Sequence, residues 1–254
     1  MLEGQKCLVI GSGISGIGAA VLLEKNHADV VLYDSSDKLT KEDLEAKLPG
    51  ESKAVCIAGE LPEEVELSIQ AAVLSPGVPT DIPLVNRMRD RGVQILGEIE
   101  LGFLAEQGRV IAITGTNGKT TTTTLTGEIM KAHFGAEKTF VVGNIGNPYT
   151  LEVTKTSKDS VTVGEISSFQ LETIHTFHPV VSAILNITPD HLNRHHTMEA
   201  YVAAKEAVAS QQTKADICVL NYDNDYTRDF AGRCPATPVL FSSHHELENG
   251  YFLR

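Results

Sequence analysis

Two glycine-rich strings and a few polar side chains are where this 254-residue chain could do chemistry. The sharper string is Gly115-Thr116-Asn117-Gly118-Lys119-Thr120, which follows the β-type run Val110–Thr114 and opens a Thr-rich segment, Thr120–Phe134. Glycines let backbone N–H groups turn toward phosphate oxygens, a lysine neutralises phosphate charge, and a threonine hydroxyl suits Mg²⁺. The string departs from G-x-x-x-x-G-K-[ST], because Ile113 stands where the first glycine should be. A plain helix cap with incidental glycines is the competing reading. The Gly-Lys-Thr run favours phosphate binding, with ATP held by Gly115, Thr116, Asn117, Gly118, Lys119, Thr120 and Thr121.

The second string, Gly11-Ser12-Gly13-Ile14-Ser15-Gly16, fits G-x-G-x-x-G between a strand and a helix, and Asp34 ends the next strand. That context supports a phosphate at a helix N-terminus and an acid against a ribose hydroxyl. NAD fits this pattern, and so does close packing with no cofactor. The loop is evidence for a nucleotide, not for hydride transfer.

Five further positions carry polar side chains that could take part. Glu165 ends the β-branched run Ser160–Glu165, where a carboxylate beside a phosphate loop suits Mg²⁺; a solvated helix-start acid is the even alternative. His191 follows the apolar run Val180–Leu185 inside Asn186-Ile187-Thr188-Pro189-Asp190-His191, and a lone histidine is more often structural than a ligand. His195 and His196 read as solvated loop residues. Lys205 reads as a surface lysine on the Met198–Ala209 helix, among alanines that leave room for close approach.

The elements that position these residues alternate. Strands are expected at Lys6–Ile10, Val30–Tyr33, Ala71–Leu74 and Val93–Leu96, with helices over Ile17–Lys25, Lys41–Leu48 and Ile82–Arg91. The pattern restarts at Val110, with later strands at Phe140–Val142, Ser160–Glu165, Val180–Leu185 and Ile217–Leu220. Such alternation implies α/β architecture with parallel sheets. Two strand–glycine loop–helix starts suggest two domains, 1–96 and 97–254, joined around Gly97–Gly108. The net charge of -12 argues against bulk electrostatic binding of nucleic acid or anionic membrane. Four scattered cysteines without a CxxC pair suit a reducing, cytoplasmic setting. Gly11, Gly13, Gly16 and Gly18 interrupt the apolar N-terminal run, which reads as a buried strand and turn instead of a membrane span or signal peptide.

Together, Gly115-Thr116-Asn117-Gly118-Lys119-Thr120, Gly143-Asn144-Ile145-Gly146, Glu165 with Ser167-Ser168-Phe169-Gln170-Leu171-Glu172, Asp190-His191 and Ala203-Ala204-Lys205 closely resemble the Mur ligase family. The Ser-Ser-Phe-Gln-Leu-Glu string favours the branch that adds D-glutamate to UDP-N-acetylmuramoyl-L-alanine in peptidoglycan synthesis. The resemblance spans essentially the whole chain. It implies a Rossmann-like N-terminal domain and then a P-loop-type mononucleotide-binding central domain. It also implies ATP-dependent amide ligation through an acyl phosphate. By this likeness Lys119, Asn144, His191 and Lys205 are catalytic, and Thr120, Glu165, His191 and a carbamylated Lys205 hold Mg²⁺. Gly13, Ile14, Ser15, Asp34, Ser35, Ser75, Pro76, Gly77, Asn144 and Ser168 then contact the UDP-linked substrate, so the first loop would hold UDP and not NAD.

Two departures stand out. Asn193 occupies a position where the family usually has Asp in Asp-His-Leu-Asp-Arg-His. The family also has a longer central domain and a third domain that supplies D-glutamate contacts, so this stretch is expected to be a truncated piece of the ligase. A nucleotide-binding module without turnover is the competing class. Folylpolyglutamate synthase would not be expected to carry the Gly11 fingerprint, and an NAD oxidoreductase leaves the Gly115 loop unexplained.

Overall fold

The computed structural model describes residues 2–254, which fold into two compact α/β units. One unit comprises the residues through Ala105 together with Pro148–Lys155 and Thr173–His175; the other comprises Glu106–Asn147, Thr156–Glu172 and Thr176–Arg254.

The first unit holds β1 (Lys6–Ile10), β2 (Asp29–Asp34), β3 (Val55–Ala58), β4 (Ala71–Leu74) and β5 (Gln94–Gly97) in the order β3-β2-β1-β4-β5. Every neighbouring pair is parallel. Helices cover a parallel sheet on both faces, so its central strands are apolar throughout; Leu8, Val9, Val31, Leu32, Ala72 and Val73 are all buried. Strand order reverses at β1 and β4, and Gly11 and Ser75 follow those two strands. That is the switch point where open α/β sheets bind ligands.

Glycines shape this crevice in two different ways. The helix after β1 spans Ile14–Lys25, three residues earlier than periodicity suggests, because Gly16 and Gly18 are helical packing positions. A Cβ on Gly16 would lie 1.8 Å from the Gly11 carbonyl oxygen, whereas one on Gly13 would meet nothing within 4 Å. Gly13 has an ordinary φ of -72°, so neither packing nor backbone conformation demands its glycine.

The unit is completed by distant chain. Gly97 is followed by a helix, Glu98–Ala105, in the stretch read as a joining region. The Glu98 carboxylate accepts from both Thr150 N (2.7 Å) and Thr150 Oγ1 (2.8 Å). Burial raises the Glu98 carboxyl above its usual range, against those hydrogen bonds. A Cβ on Gly102 would fall 2.7 Å from the Tyr149 ring, so glycine there admits the aromatic.

The second unit holds β6 (Arg109–Thr114), β7 (Thr139–Gly143), β8 (Val161–Glu165), β9 (Val181–Ile184), β10 (Ile217–Asn221), β11 (Thr237–Ser242) and β12 (Tyr251–Phe252), in the order β12-β11-β10-β9-β6-β8-β7. All pairs are again parallel. Ile113, Val161, Val163 and Ala183 form its core, with Met130 and Phe134 packed on from the Lys119–Phe134 helix. Flanked by β8 and β9, β6 brings the C-terminal ends of three strands to one rim, with Ile113 opposite Glu165.

Gly16→Ala is expected to cost about 1–3 kcal/mol through overpacking, while Gly13→Ala should change stability by less than about 0.5 kcal/mol. Urea unfolding of both variants checks this, and equal losses would refute the distinction.

Candidate active site

The Gly115 loop is held from outside itself. Thr116 N–H donates to the Asn186 carbonyl at 2.9 Å. Asn117 N–H donates to Asn186 Oδ1 (2.8 Å), and Asn186 Nδ2 returns a bond to the Asn117 carbonyl (3.0 Å). The Thr116 hydroxyl donates to the Thr188 carbonyl, accepts from Thr188 N–H, and lies 3.1 Å from the Tyr201 hydroxyl. Two amides of the expected phosphate cradle are therefore engaged within the chain. Helix geometry leaves the N–H groups of Lys119, Thr120 and Thr121, in the first turn, without intrahelical acceptors. Gly118 caps that helix at φ 83°, a left-handed conformation that favours glycine.

Two cations meet at the loop. Lys119 Nζ donates to the carbonyls of Gly115 and Thr116, both at 3.0 Å, and Lys205 Nζ donates to the same Gly115 carbonyl at 2.8 Å. Lys205 is 2% exposed, which overturns its reading as a surface lysine. Its helix, Met198–Glu206, packs Tyr201, Val202 and Lys205 inward. Burial, reinforced by the Lys119 charge, pushes the Lys205 ammonium down to about 7.

Glu165 stands at the end of β8 and is 1% exposed, so it is not a solvated helix-start acid. Its Oε1 accepts from Asn144 Nδ2 at 2.9 Å, and its Oε2 is buried without a hydrogen-bond partner. A buried carboxylate oxygen with no donor is costly, and a bound cation is one group that would satisfy it. Gly143 (φ 97°) is required behind it, since a Cβ there would lie 2.2 Å from the Glu165 carbonyl oxygen.

The remaining residues divide. His191 lies on an exposed turn at φ 52°, with Nε2 3.4 Å from Asp190 Oδ2. Thr120 is exposed in the first helical turn. Among the described residues no group of three or more His, Cys, Asp and Glu converges as a metal site. A divalent site beside Glu165 would therefore need ligands of other kinds as well. Ser168 is buried, and its hydroxyl shares a 2.9 Å hydrogen bond with His195 Nε2. His195 itself is 7% exposed, so its reading as a solvated loop residue is corrected; His196 is exposed as expected.

In the first unit, Asp34 Oδ2 accepts from Ser12 N (2.9 Å) and Ser12 Oγ (2.7 Å), and Oδ1 accepts from Ser36 N (3.1 Å). Partial burial opposes ionisation, but these donors outweigh it and hold the carboxyl below its ordinary value. Lys47 Nζ reaches the Ser12 hydroxyl at 3.0 Å. Asp34, Ser35 and Gly77 line one cleft of about 490 Å³ with Ile10, Tyr33 and Ile82. Ser75 Oγ donates to the Gly11 carbonyl (3.1 Å), tying the two strand ends together. Ile14 is 62% exposed at the helix start, beside the open space over Gly13.

Sequence reasoning missed Asn186, Tyr201 and His195 as site residues. Only Asn186 left a signal, since it directly follows a strand beside the phosphate loop.

Residues 113–250 match the Mur ligase middle domain, and residues 5–97 match the Mur ligase MurD-like, N-terminal domain. The chain is 55% identical over 251 residues to the UDP-N-acetylmuramoylalanine--D-glutamate ligase of Lachnoclostridium phytofermentans, covering 99% of this chain and 55% of that protein. The protein of the same name from Lachnospira eligens is 55% identical over 252 residues, and that from Clostridioides difficile 44% over 253, with the same coverages. The chain thus spans about 55% of the length of these curated relatives. In fold it is similar to the UDP-N-acetylmuramate:L-alanyl-gamma-D-glutamyl-meso-diaminopimelate ligase from Neisseria meningitides. The TM-score is 0.60 at 14% identity, over 97% of this chain and 82% of that one. It is also similar to UDP-N-acetylmuramate-alanine ligase MurC from Thermotoga maritima, with TM-score 0.55 at 20% identity, over 95% and 53%.

The buried Lys205 predicts a pH dependence of folding. Below about pH 7 folded and unfolded chains both carry the proton, and the cost of burying the cation is fully present. Between about 7 and 10.5 only the unfolded chain stays protonated, so stability rises with pH through that window. Urea unfolding in CO₂-free buffers should show this rise in the wild type and a flatter curve in Lys205→Met. Parallel curves would contradict it.

Proposed function

The chain belongs to the Mur ligase family, and from that premise we propose that it carries the UDP-substrate and ATP sites of an amide ligase. The ligase would join D-glutamate to UDP-N-acetylmuramoyl-L-alanine. The observation that carries this reading is Glu165: a buried carboxylate with an unpartnered oxygen, at the strand end opposite the Gly115 loop, where two lysines share a carbonyl. That donor set asks for a divalent cation and a polyphosphate together.

In this reading residues 1–96 supply the uridine-ligand site and residues 97–254 the ATP site. The open space over Gly13 admits the diphosphate to the first-turn amides of Ile14 and Ser15, while Asp34 and Ser35 face the ribose from the cleft. Ser75-Pro76-Gly77 closes the other side. Lys119 leaves its carbonyl partners to pair with ATP phosphates, joined by the first-turn amides. A carboxylate oxygen of the alanyl group attacks the terminal phosphorus, and ADP departs. The D-glutamate amine then attacks the acyl carbon, loses a proton and expels phosphate, leaving an amide. Asn144, fixed on Glu165, orients the alanyl end.

Thr120, Glu165, His191 and Lys205 would hold Mg²⁺, which when bound neutralises charge on the transferring phosphoryl group. For Lys205 this requires carbamylation: its neutral amine adds to CO₂, forming a C–N bond and releasing a proton. An amine titrating near 7 is available for that addition at neutral pH, and the product is an anionic oxygen ligand. Among the described residues no helix is long and apolar enough to cross a membrane; the proposed setting is the cytoplasm.

Calorimetry tests the substrate assignment: UDP-N-acetylmuramoyl-L-alanine should bind and NAD should not. Saturable NAD binding without UDP-ligand binding would overturn it, and Asp34→Ala should weaken the uridine ligand more than ATP.

Turnover tests the ATP site in a ligase of the relatives' full length carrying this sequence. Lys119→Ala removes a charge-assisted phosphate contact of about 1.5–3 kcal/mol, so acyl-phosphate formation should fall at least about tenfold. Lys205→Ala should be nearly inactive and partly restored by short carboxylic acids, and isotope-labelled bicarbonate should give one carbamate carbon resonance in the wild type. An unchanged Lys119→Ala rate would remove the loop from catalysis; wild-type activity in Lys205→Ala would remove the carbamate.

A further inference from the structure

We propose that His195 is a positioning residue that locks the Asp190-His191 turn, and the helix bearing Lys205, to the segment following Glu165. The inference rests on reading the second unit as an Mg²⁺–ATP site.

Of residues 190–196, only His195 is buried. Leu192, the one large apolar residue of the turn, is 37% exposed. A buried imidazole is unfavourable unless its nitrogens are satisfied, and both have partners. Nε2 shares the 2.9 Å bond with Ser168, and Nδ1 stands 3.5 Å from Glu172 Oε1. The tautomer with the proton on Nδ1 suits both: the N–H faces the carboxylate, and the ring accepts from the serine hydroxyl. Arg194 Nη2 donates to the other Glu172 oxygen at 2.9 Å, so neighbouring residues of the turn grip one carboxylate.

The ring's faces are used as well. His195 stacks on Phe169, with centroids 5.4 Å apart and planes 25° apart. Phe169 also packs against the His191 ring at 5.0 Å, and the Arg194 guanidinium sits 4.2 Å from its centroid. The Tyr201 ring is 5.1 Å from His195. Tyr201 in turn touches the Thr116 hydroxyl and has Lys205 Nζ 4.6 Å from its ring. One imidazole thereby bridges Ser168, three residues beyond Glu165, to the helix of Lys205 and to the phosphate loop.

The backbone explains why the turn needs such an anchor. His191 and His196 both have positive φ, 52° and 65°, though neither is glycine. That conformation is unfavourable and persists where tertiary contacts enforce it. His195 lies between the two and makes the buried contacts. Without it the turn relaxes, and the His191 side chain leaves its place relative to Glu165.

The test uses Mn²⁺ as a spectroscopic probe with ATP. Electron paramagnetic resonance titration should show His195→Ala and His195→Phe weakening Mn²⁺ binding about tenfold or more, as for other residues that orient metal ligands. His195→Phe keeps the stacked ring and loses both polar contacts, so it separates hydrogen bonding from packing. His195→Gln, which returns a polar atom toward Ser168, should recover part of the loss. Binding of UDP alone, the uridine ligand whose contacts are assigned to the first unit, should stay within about twofold. Unchanged Mn²⁺ affinity in His195→Phe would overturn the proposal, as would an equal loss of uridine-ligand binding, which marks general destabilisation. No Mn²⁺–ATP binding by the wild type would instead overturn the reading of the site itself.

Discussion

Two ammonium groups, those of Lys119 and Lys205, hang from the single carbonyl of Gly115. Like charges brought together in a buried place repel strongly, and here the repulsion and the burial both appear as the lowered titration of Lys205. The surroundings make sense as the structure needed to sustain this. Gly115 turns its carbonyl toward both lysines at a φ of 152° that glycine tolerates. Asn186 clamps the loop by three hydrogen bonds so that the carbonyl cannot swing away. The helix of Lys205 is held by Tyr201, which is itself bonded to the loop. An anion entering such a site meets the Lys119 charge and the free first-turn amides gathered at one place, once Lys119 leaves its carbonyl partners.

The same strand–loop–helix logic serves a different electrostatic purpose in the first unit. There an acid, Asp34, organises the loop through Ser12, and Lys47 reaches it only from the side. A group that is held but not transformed requires shape and hydrogen bonds; a phosphoryl group in transfer also requires concentrated charge. The contrast between one carboxylate-braced loop and one lysine-loaded loop is in keeping with the proposed division between a held diphosphate and a reacting triphosphate.

Much of the framework was legible. Lys6–Ile10 and Ala71–Leu74 occur as read, because short, continuously apolar runs between turn residues have few other uses in a parallel sheet. Thr237–Ser242 was hidden by Pro238, which cannot donate to a ladder and usually argues against a strand. Glu98–Ala105 was hidden by acids at positions 98 and 100 that are in fact buried and bonded. Val55–Ala58 is only four residues long. Nothing in local periodicity marks Tyr149 and Thr150 as partners of a helix some fifty residues earlier.

The candidate site divides along the same physical line. Lys119 and Glu165 were readable because their chemistry follows from local context, a glycine turn and a strand end. Lys205 came forward only through the family resemblance and His195 not at all, because their setting lies in burial, which is a property of the assembled unit. A lysine between alanines and a histidine in a polar loop look solvated in sequence. What changes them is a small set of aromatic faces: Tyr201 beneath Lys205, and Phe169 and Tyr201 around His195. Aromatics exclude water while giving polar neighbours a weak electrostatic partner. They help hold two residues that look solvated in sequence as buried groups with altered protonation, Lys205 nearer neutrality and His195 below its ordinary value through burial. An imidazole kept neutral is a directional hydrogen-bonding strut, and an amine kept near neutrality is a nucleophile. The Tyr201 ring lies against both groups, so one side chain contributes to the dry surroundings of each.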